Sequence, residues 1–164
     1  MLTTDRLLLP PLTRAHSADL VALYSDAEVA RYIGGANLTP ETIPLQAARL
    51  ADEWSERGYG QSAVLDRGTG AFLGRAGLHY WPNWQEVELG YVLAATAQGR
   101  GLATEAGNAW IGWAAEAGIE SLVAVIDPRN SPSIAVAGRL GFHLERDDVT
   151  PAGVAVHVFR LALV

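Results

Sequence analysis

The spacing of apolar residues first changes near residue 60, from helical to alternating, and this change limits the folds that the chain can form. Ahead of the change, after one short strand predicted at 6–12, apolar residues recur at helical spacing. The helices predicted there cover residues 16–24, 27–33 and 40–57. Gly34 and Gly35 end the second of these helices, and Pro40, after the cap residue Thr39, begins the third.

Beyond residue 60 the pattern alternates, as it does in strands with one buried face. The strands predicted there cover residues 61–66, 71–80 and 86–93. Gly90, inside the last of them, indicates a bulge or a close approach of the backbone. The remaining elements are a helix over 102–117, a strand over 122–126, a helix over 131–140 and a hairpin of strands over 142–149 and 154–164. This order predicts a mixed α/β sheet in a single domain over residues 1–164.

Composition excludes several classes of protein. The formal net charge is −6 and no run of basic residues offsets it, which argues against a general nucleic-acid or membrane-surface binder. Cysteine is absent and the four histidines are scattered, so we expect neither a thiol nucleophile nor a metal site. No apolar run reaches the ~18 residues of a membrane span, and a cytoplasmic location is expected by default.

Two glycines stand in the turn between a predicted strand and a predicted helix, in the segment Q-G-R-G-L-A-T at 98–104. Free N–H groups and the helix dipole attract an anion at such a helix N-terminus, and glycine removes the Cβ atoms that would block it. A dinucleotide-binding loop would need a third glycine where Thr104 stands, and a Walker-type loop would need Gly-Lys-Ser/Thr, so both are excluded. The residues alone leave a tight turn before a packed helix open as the alternative.

Motifs along nearly the whole chain occur in the order found in one family. The turn has the form Gln98-x-x-Gly101-x-Ala103, and N-S-P-S at 130–133 is followed by G-R-L-G-F at 138–142. Upstream motifs are T-D-R-L-L-L, D-A-E-V-A-R-Y-I-G and V-E-L-G-Y-V-L. Together they resemble the GCN5-related N-acetyltransferase (GNAT) superfamily, whose pyrophosphate-binding signature is Gln/Arg-x-x-Gly-x-Gly/Ala, and within it the RimJ/RimL branch.

The resemblance implies a mostly antiparallel central sheet flanked by helices, with its fourth and fifth strands splayed apart around acetyl-CoA. The turn would bind the CoA pyrophosphate, and residues of both strands' ends would face the pantetheine arm. The residues assigned to acetyl-CoA in this way are Val92, Leu93, Gln98, Gly99, Arg100, Gly101, Leu102, Ala103, Thr104, Asn130 and Ser133. Arg100 either adds a local positive charge or is simply a solvated turn residue.

The same resemblance points to Glu88 as a catalytic residue, and the helical spacing of Ser133 predicts a catalytic role for it as well. Glu88 lies ten residues before Gln98, where this branch often carries an acidic residue. It is either the general base or a solvated carboxylate on a half-exposed strand. Many members use a tyrosine four residues before the glycine of Gly-Phe as the acid, but Ala137 stands there. Ser133, one turn earlier, either serves the departing CoA thiolate or caps and packs the helix start.

The implied activity is acetyl-CoA-dependent acetylation of a primary amine by direct attack in a ternary complex, with a backbone N–H near Leu93 on the developing oxyanion. A non-catalytic acyl-CoA sensor needs the same cofactor motifs and stays open. The expected acceptor is a small-molecule or peptide amine, and the loops at 34–39 and 81–85 would select it. The resemblance also allows a homodimer. Trp81 and Trp84 either line the acceptor pocket or cover the sheet edge.

Overall fold

The computed structural model describes residues 1–33 and 38–164, and eight strands within them form one sheet. The strands are β1 (Leu2–Thr3), β2 (Leu7–Leu9), β3 (Gln61–Asp66), β4 (Phe72–Trp81), β5 (Glu86–Leu93), β6 (Ser121–Ile126), β7 (His143–Val149) and β8 (Ala155–Ala162). Their order in the sheet is β1-β2-β3-β4-β5-β6-β8-β7. Neighbouring strands are antiparallel except β5 and β6, which are parallel. The predicted mixed, mostly antiparallel α/β sheet is confirmed.

Helices lie on both faces of this sheet. They are α1 (Ser17–Tyr24), α2 (Ala27–Ala30), α3 (Ile43–Arg57), α4 (Leu102–Glu116) and α5 (Ser131–Arg139), with 3₁₀ turns at Arg14–His16 and Ala95–Ala97. None of these helices is long and apolar enough to cross a membrane.

Alternation along β5 sends its side chains into two separate cores. Leu89 and Leu93 are buried with Trp110 of α4 and with residues of α5 in the larger core. Val92 lies in the second core, with Leu20 of α1 and residues of α2 and α3. The helices α4 and α5 therefore cover one face of the sheet, and α1, α2 and α3 cover the other.

Two predicted elements in the first third of the chain are shorter than expected. The strand predicted over 6–12 is reduced to β2, because Pro10 and Pro11 have no N–H to donate to a ladder. The helix predicted over 27–33 ends at Ala30, and residues 31–33 form a turn. The stop assigned to Gly34 and Gly35 lies outside the described residues.

The start of α3 also differs from the prediction. The helix begins at Ile43 rather than at Pro40, and Pro44 occupies its first turn. Thr39 and Thr42 hold the chain ahead of it in a separate turn, since the Thr42 hydroxyl accepts from the Thr39 N–H (2.9 Å) and the Thr42 N–H donates back to the Thr39 hydroxyl (3.2 Å).

Predictions beyond residue 60 agree closely with the structure. The strands β3 and β5 have the predicted bounds, β4 is shifted by one residue, and β6, β7, β8, α4 and α5 lie where they were expected. The one error concerns Gly90. The β4–β5 pairing continues without interruption through Gly77 and Gly90, so the strand has no bulge there.

The parallel strands β5 and β6 separate after a single pairing. Glu88 is opposite Val123, and no further residue pair of the two strands is in register. By contrast, β5 pairs with β4 over its whole length, from Glu86 to Leu93. These two strands are the fourth and fifth of the sequence prediction, in which β1 was not counted, and their predicted splaying is confirmed.

Candidate active site

Two cavities lie next to the separation of β5 and β6. The first, of about 840 Å³ and here called the helix cleft, lies among the end of β5, the N-terminus of α4 and α5. The second, of about 710 Å³ and here called the strand pocket, lies over β4 and β5 beside α3 and the β7–β8 loop. The residues that line both cavities are Tyr32, Ile33, Tyr91, Val92, Asn130 and Ser133. The two cavities therefore meet at the point where the sheet opens.

The wall of the helix cleft at α4 is made of main chain. Gly99 and Gly101 have φ values of 72° and 76°, a left-handed conformation that favours glycine. Gly101 is the N-cap residue of α4 and supplies no side-chain cap, so the first N–H groups of the helix are left for another partner. The Gln98 side chain braces the turn by donating from Nε2 to the Leu93 carbonyl oxygen (3.0 Å).

Ten of the eleven residues predicted to bind acetyl-CoA line the helix cleft. Arg100 is the exception: its side chain is exposed and does not line the cleft, and its carbonyl oxygen accepts from Nη1 of Arg6 (3.0 Å). Arg31, Arg129 and Arg139 also line the cleft. Two of them lie within the quoted motifs, Arg31 in D-A-E-V-A-R-Y-I-G and Arg139 in G-R-L-G-F, but sequence reasoning gave them no role. Arg31 and Arg129 form salt bridges with Glu28 and Asp127. Arg139 has no salt bridge among the described residues, so its guanidinium group favours an anion in the helix cleft.

The junction of the two cavities carries two hydroxyl groups. The Tyr91 hydroxyl donates to the Ser133 carbonyl oxygen (2.9 Å), and the Ser133 hydroxyl donates to the Tyr91 oxygen (3.4 Å). Burial raises the pKa of Tyr91, against the effect of its hydrogen bond with Ser133, so the phenol stays protonated at neutral pH. Asn130 caps α5 by accepting from the Ser133 N–H (3.3 Å), so capping is not the role of the Ser133 hydroxyl.

Among the described residues, Glu53, Glu88 and Asp127 are the carboxylates that line the strand pocket, and Glu88 is the one on β5. Glu88 accepts a hydrogen bond at Oε2 from Nε1 of Trp81 (2.7 Å). Burial raises the pKa of Glu88 above its ordinary value, although the positive charge of His79 and the hydrogen bond from Trp81 oppose this shift. A carboxylate in such surroundings is a stronger base than one in water.

His79 lies directly opposite Glu88 in the β4–β5 ladder and is held by a buried residue of α3. Its Nδ1 lies 2.9 Å from Oε2 of Glu53, whose other oxygen accepts from the Tyr80 N–H (2.7 Å). Burial favours the neutral imidazole, but the hydrogen bond to Glu53 and the charges of Glu53 and Glu88 outweigh it, so the pKa of His79 is raised. Sequence reasoning missed Glu53, because nothing in its local pattern distinguishes it from a solvated helix residue.

The two tryptophans of the β4–β5 turn have different positions. Trp81 lines the strand pocket, with its ring centroid 5.0 Å from that of Trp84. Trp84 packs against the small core of Val123, Val156 and Val158. Trp81 therefore lines the strand pocket, whereas Trp84 covers the sheet, so each of the two positions considered from the sequence is occupied by one tryptophan.

No group of three metal-ligating side chains occurs in the part of the chain that the structure describes. The arrangement of the two cavities instead brings an uncapped helix N-terminus, a pair of hydroxyls and a half-buried carboxylate into one continuous space. The catalytic roles of Glu88 and Ser133 remain predictions, now with defined surroundings.

Comparisons with known proteins agree with this geometry. The sequence matches the family model described as acetyltransferase (GNAT) domain over residues 6–143. It is 32% identical over 157 residues to the protein YkkB of Bacillus subtilis (strain 168), a match that covers 88% of this chain and 86% of YkkB. The acetyltransferase from Agrobacterium tumefaciens str. C58 superposes with a TM-score of 0.85 at 30% identity, over 98% of this chain and 92% of the other. The chain belongs to the GNAT family and is an acetyltransferase.

A more distant structure carries coenzyme A. The ribosomal-protein α-N-acetyltransferase RimL, solved with coenzyme A, superposes with a TM-score of 0.80 at 19% identity, over 97% of this chain and 95% of the other. At that identity the likeness shows a shared fold. The family and fold expected from the motifs are confirmed.

Proposed function

We propose that this protein is an N-acetyltransferase of the RimJ/RimL branch that uses acetyl-CoA to acetylate a primary amine in a ternary complex. The observation that carries the proposal is the meeting of the helix cleft and the strand pocket where β5 and β6 separate. The first cavity suits the cofactor and the second suits the amine, so the thioester would lie between them.

The residues of the helix cleft suit acetyl-CoA. The unpaired N–H groups at the start of α4 suit a pyrophosphate, because the helix dipole adds to their hydrogen bonds. Gly99 and Gly101 leave this turn without side chains, and Arg139 lies close by, with Nε 3.5 Å from the Thr104 hydroxyl. Val92 and Leu93, at the open end of β5, provide main-chain groups for the pantetheine arm. Bound acetyl-CoA supplies the acetyl group as a thioester.

Glu88 is the base of the proposed mechanism. An alkyl ammonium has a reference pKa of about 10.4, so few molecules are nucleophilic at neutral pH without help. Glu88 accepts the proton from the ammonium, directly or through a water molecule, and its raised pKa suits this transfer. Trp81 fixes the carboxylate through its indole N–H.

The amine nitrogen then attacks the thioester carbonyl carbon, so that an N–C bond forms as the C–S bond breaks, and the second proton that the nitrogen loses goes to the departing thiolate. A backbone N–H near Leu93 stabilises the developing oxyanion. The Ser133 hydroxyl is turned toward Tyr91 through a long hydrogen bond of 3.4 Å and is released from it at little cost. It donates to the departing thiolate, while the Tyr91 hydroxyl provides a second donor at the same junction.

The experiment that tests this function measures release of the CoA thiol from acetyl-CoA against a panel of amines, and identifies the acetylated product by mass spectrometry. The panel contains peptides, amino acids, polyamines and simple alkylamines. Amine-dependent thiol release with an N-acetylated product is expected. Tight binding of acetyl-CoA by calorimetry, with no turnover on any amine, would instead indicate an acyl-CoA sensor.

A further inference from the structure

The charged side chains of the strand pocket are arranged at two ends. Alternate residues of β4 and β5 share one face of the sheet, and in the ladder Arg75 is opposite Val92 while His79 is opposite Glu88. Arg75 therefore lies four residues along β4 from the position opposite Glu88, which corresponds to about 13 Å along the main chain. Both side chains line the same pocket. Gly90, between them, has no side chain to divide the space.

Arg75 is held in place by neutral groups. Its Nε donates to the Tyr24 hydroxyl (2.6 Å) and its Nη1 donates to Oε1 of Gln61 (2.8 Å). Tyr24 and Gln61 are only 5% and 2% exposed, so they fix the guanidinium firmly. Neither partner carries a negative charge, and Nη2 has no hydrogen-bond partner among the described residues.

Arg75 forms no salt bridge with a described carboxylate, and Glu88 interacts with its positive charge only across the pocket. Among residues 1–33 and 38–164, no aspartate or glutamate forms a salt bridge with Arg75, and residues 34–37 (G-G-A-N) contain no acidic side chain. The other carboxylates of the pocket have their own partners: Glu53 binds His79 and Asp127 binds Arg129. Arg49, whose side chain is exposed, also lines the pocket and forms no salt bridge with the described residues. Because an unpaired, half-buried cation is costly, this end of the pocket suits an anion.

We propose that the acetyl acceptor is an amine that also carries an anionic oxyacid group, a carboxylate or a phosphoryl group, and that Arg75 binds this group while Glu88 receives the amine. The inference rests on the proposed acetyltransferase function and names its substrate class. Tyr24 and Gln61 leave one edge of the guanidinium for the ligand, and Arg is the side chain best suited to pair with a planar carboxylate or a phosphoryl group. Trp81 and Tyr32 line the same pocket and accommodate an apolar or aromatic portion of the acceptor.

Matched acceptor pairs test this assignment. Each pair consists of an amino acid and its carboxamide, with one to four carbons between the amine and the carboxyl group, and aminoalkylphosphonates of the same lengths distinguish a phosphoryl group from a carboxylate. For the best pair we expect kcat/KM of the anionic acceptor to exceed that of the amide at least tenfold. In Arg75→Gln this ratio is expected to fall below threefold, through a rise in KM for the anionic acceptor alone, while Arg75→Lys retains part of it.

Controls separate ligand binding from a structural role. Arg14→Gln removes an exposed cation outside both cavities and is expected to leave the ratio unchanged. The KM for acetyl-CoA should not change in any of these variants. Equal acetylation of the anionic and neutral acceptors by the wild type would overturn the inference and leave the acetyltransferase function standing. An equal loss on both acceptors in Arg75→Gln would show that Arg75 acts only by holding the fold.

A binding measurement decides the inference without turnover. Trp81 in the strand pocket provides a fluorescence signal for titration with each amino acid and its amide in the presence of CoA. Tighter binding of the anionic ligand to the wild type, lost in Arg75→Gln, supports the inference even if no amine is acetylated and the proposed function fails. Equal affinity for the two ligands, or no binding of either, contradicts it.

Discussion

The helix cleft and the strand pocket share the end of β5, but they are built in different ways. One wall of the helix cleft is a single short segment, residues 97–104, which offers main-chain N–H groups at a helix N-terminus. The strand pocket is formed by side chains from several separate elements, among them Glu53 from α3, Arg75 and His79 from β4 and Glu88 from β5. The first arrangement suits the constant part of a cofactor, whereas the second can change with the acceptor by single substitutions.

Because the two cavities are built in different ways, we expect mutations in one cavity to affect different properties from mutations in the other. Changes in the helix cleft should alter acetyl-CoA affinity, and changes in the strand pocket should alter turnover or the choice of amine. A variant in one cavity that mainly changes the property assigned to the other would break the comparison.

The largest effect is expected for Glu88→Gln, which removes the base but keeps an oxygen for the Trp81 N–H. Loss of general-base catalysis typically costs about 10²–10⁴-fold, and we expect kcat/KM for the amine to fall by that amount. Acetyl-CoA affinity, measured by calorimetry, should be unchanged. A loss of less than threefold across pH 6 to 9 would assign the base to another residue, with His79 or Tyr91 as the nearest candidates.

The direction of the Glu88 pKa shift predicts two pH effects. Only the ionised carboxylate accepts a proton, so wild-type kcat/KM should rise with pH through a pKa above the ordinary value of glutamate, 4.5, and Glu88→Gln should lack this limb.

A carboxyl whose pKa is raised by folding contributes stability at low pH and loses it as pH rises through the folded pKa. The thermal midpoint of Glu88→Gln at pH 8 should therefore equal or exceed that of the wild type, and a large drop would contradict this account.

In the helix cleft, Gly101→Glu should lower acetyl-CoA affinity at least tenfold, about 1.4 kcal/mol, in a calorimetric titration. The new side chain would place a carboxylate beside the N–H groups assigned to the pyrophosphate. Gly118→Glu is the matched control, because Gly118 has a similar left-handed φ of 81° at the other end of α4. Both variants should lose similar stability, and only the first should lose affinity. Unchanged affinity in a folded Gly101→Glu variant would refute the cofactor site.

A smaller effect is expected at the junction of the two cavities. Ser133→Ala should lower kcat about tenfold, below the usual range for acid–base residues, because a thiol of pKa near 8.5 leaves tolerably as its anion. An acetyl thioester with a more acidic thiol needs no proton donor, so the defect should shrink with that substrate. If the defect is as large as with acetyl-CoA, Ser133 positions the cofactor instead of serving the thiolate.

The smallest effect on turnover is expected for Glu86→Gln, on the same strand face as Glu88. The Glu86 carboxylate pairs with Arg146 (3.0 Å) and Arg160, and so joins β5 to β7 and β8. Removing its charge should lower the free energy of unfolding by about 1–3 kcal/mol, measured by denaturant titration. We expect kcat/KM to stay within threefold of the wild type at a temperature where both proteins are folded. A hundredfold loss would instead place catalysis at Glu86.

The sequence by itself predicted the sheet, most of the helices and the helix cleft. Strands and helices beyond residue 60 follow from hydrophobic periodicity, which is a property of neighbouring residues. The turn at Gly99 and Gly101 is equally local, since left-handed φ values and an uncapped helix start need only a short segment. Apart from the bulge expected at Gly90, the errors fell in the first third of the chain, where Pro10, Pro11 and the Thr39–Thr42 turn shorten elements whose apolar pattern continues.

Only the tertiary structure decided how the strand pocket is composed. His79 and Glu53 are 26 residues apart and belong to a strand and a helix, and Arg75 meets Tyr24 from a helix 51 residues away. No local pattern relates such residues, because their contact depends on which helix covers which face of the sheet. The same packing raises the pKa of Glu88, because burial of its carboxyl depends on the whole fold. The alternating pattern of a strand does not show which elements will cover its two faces.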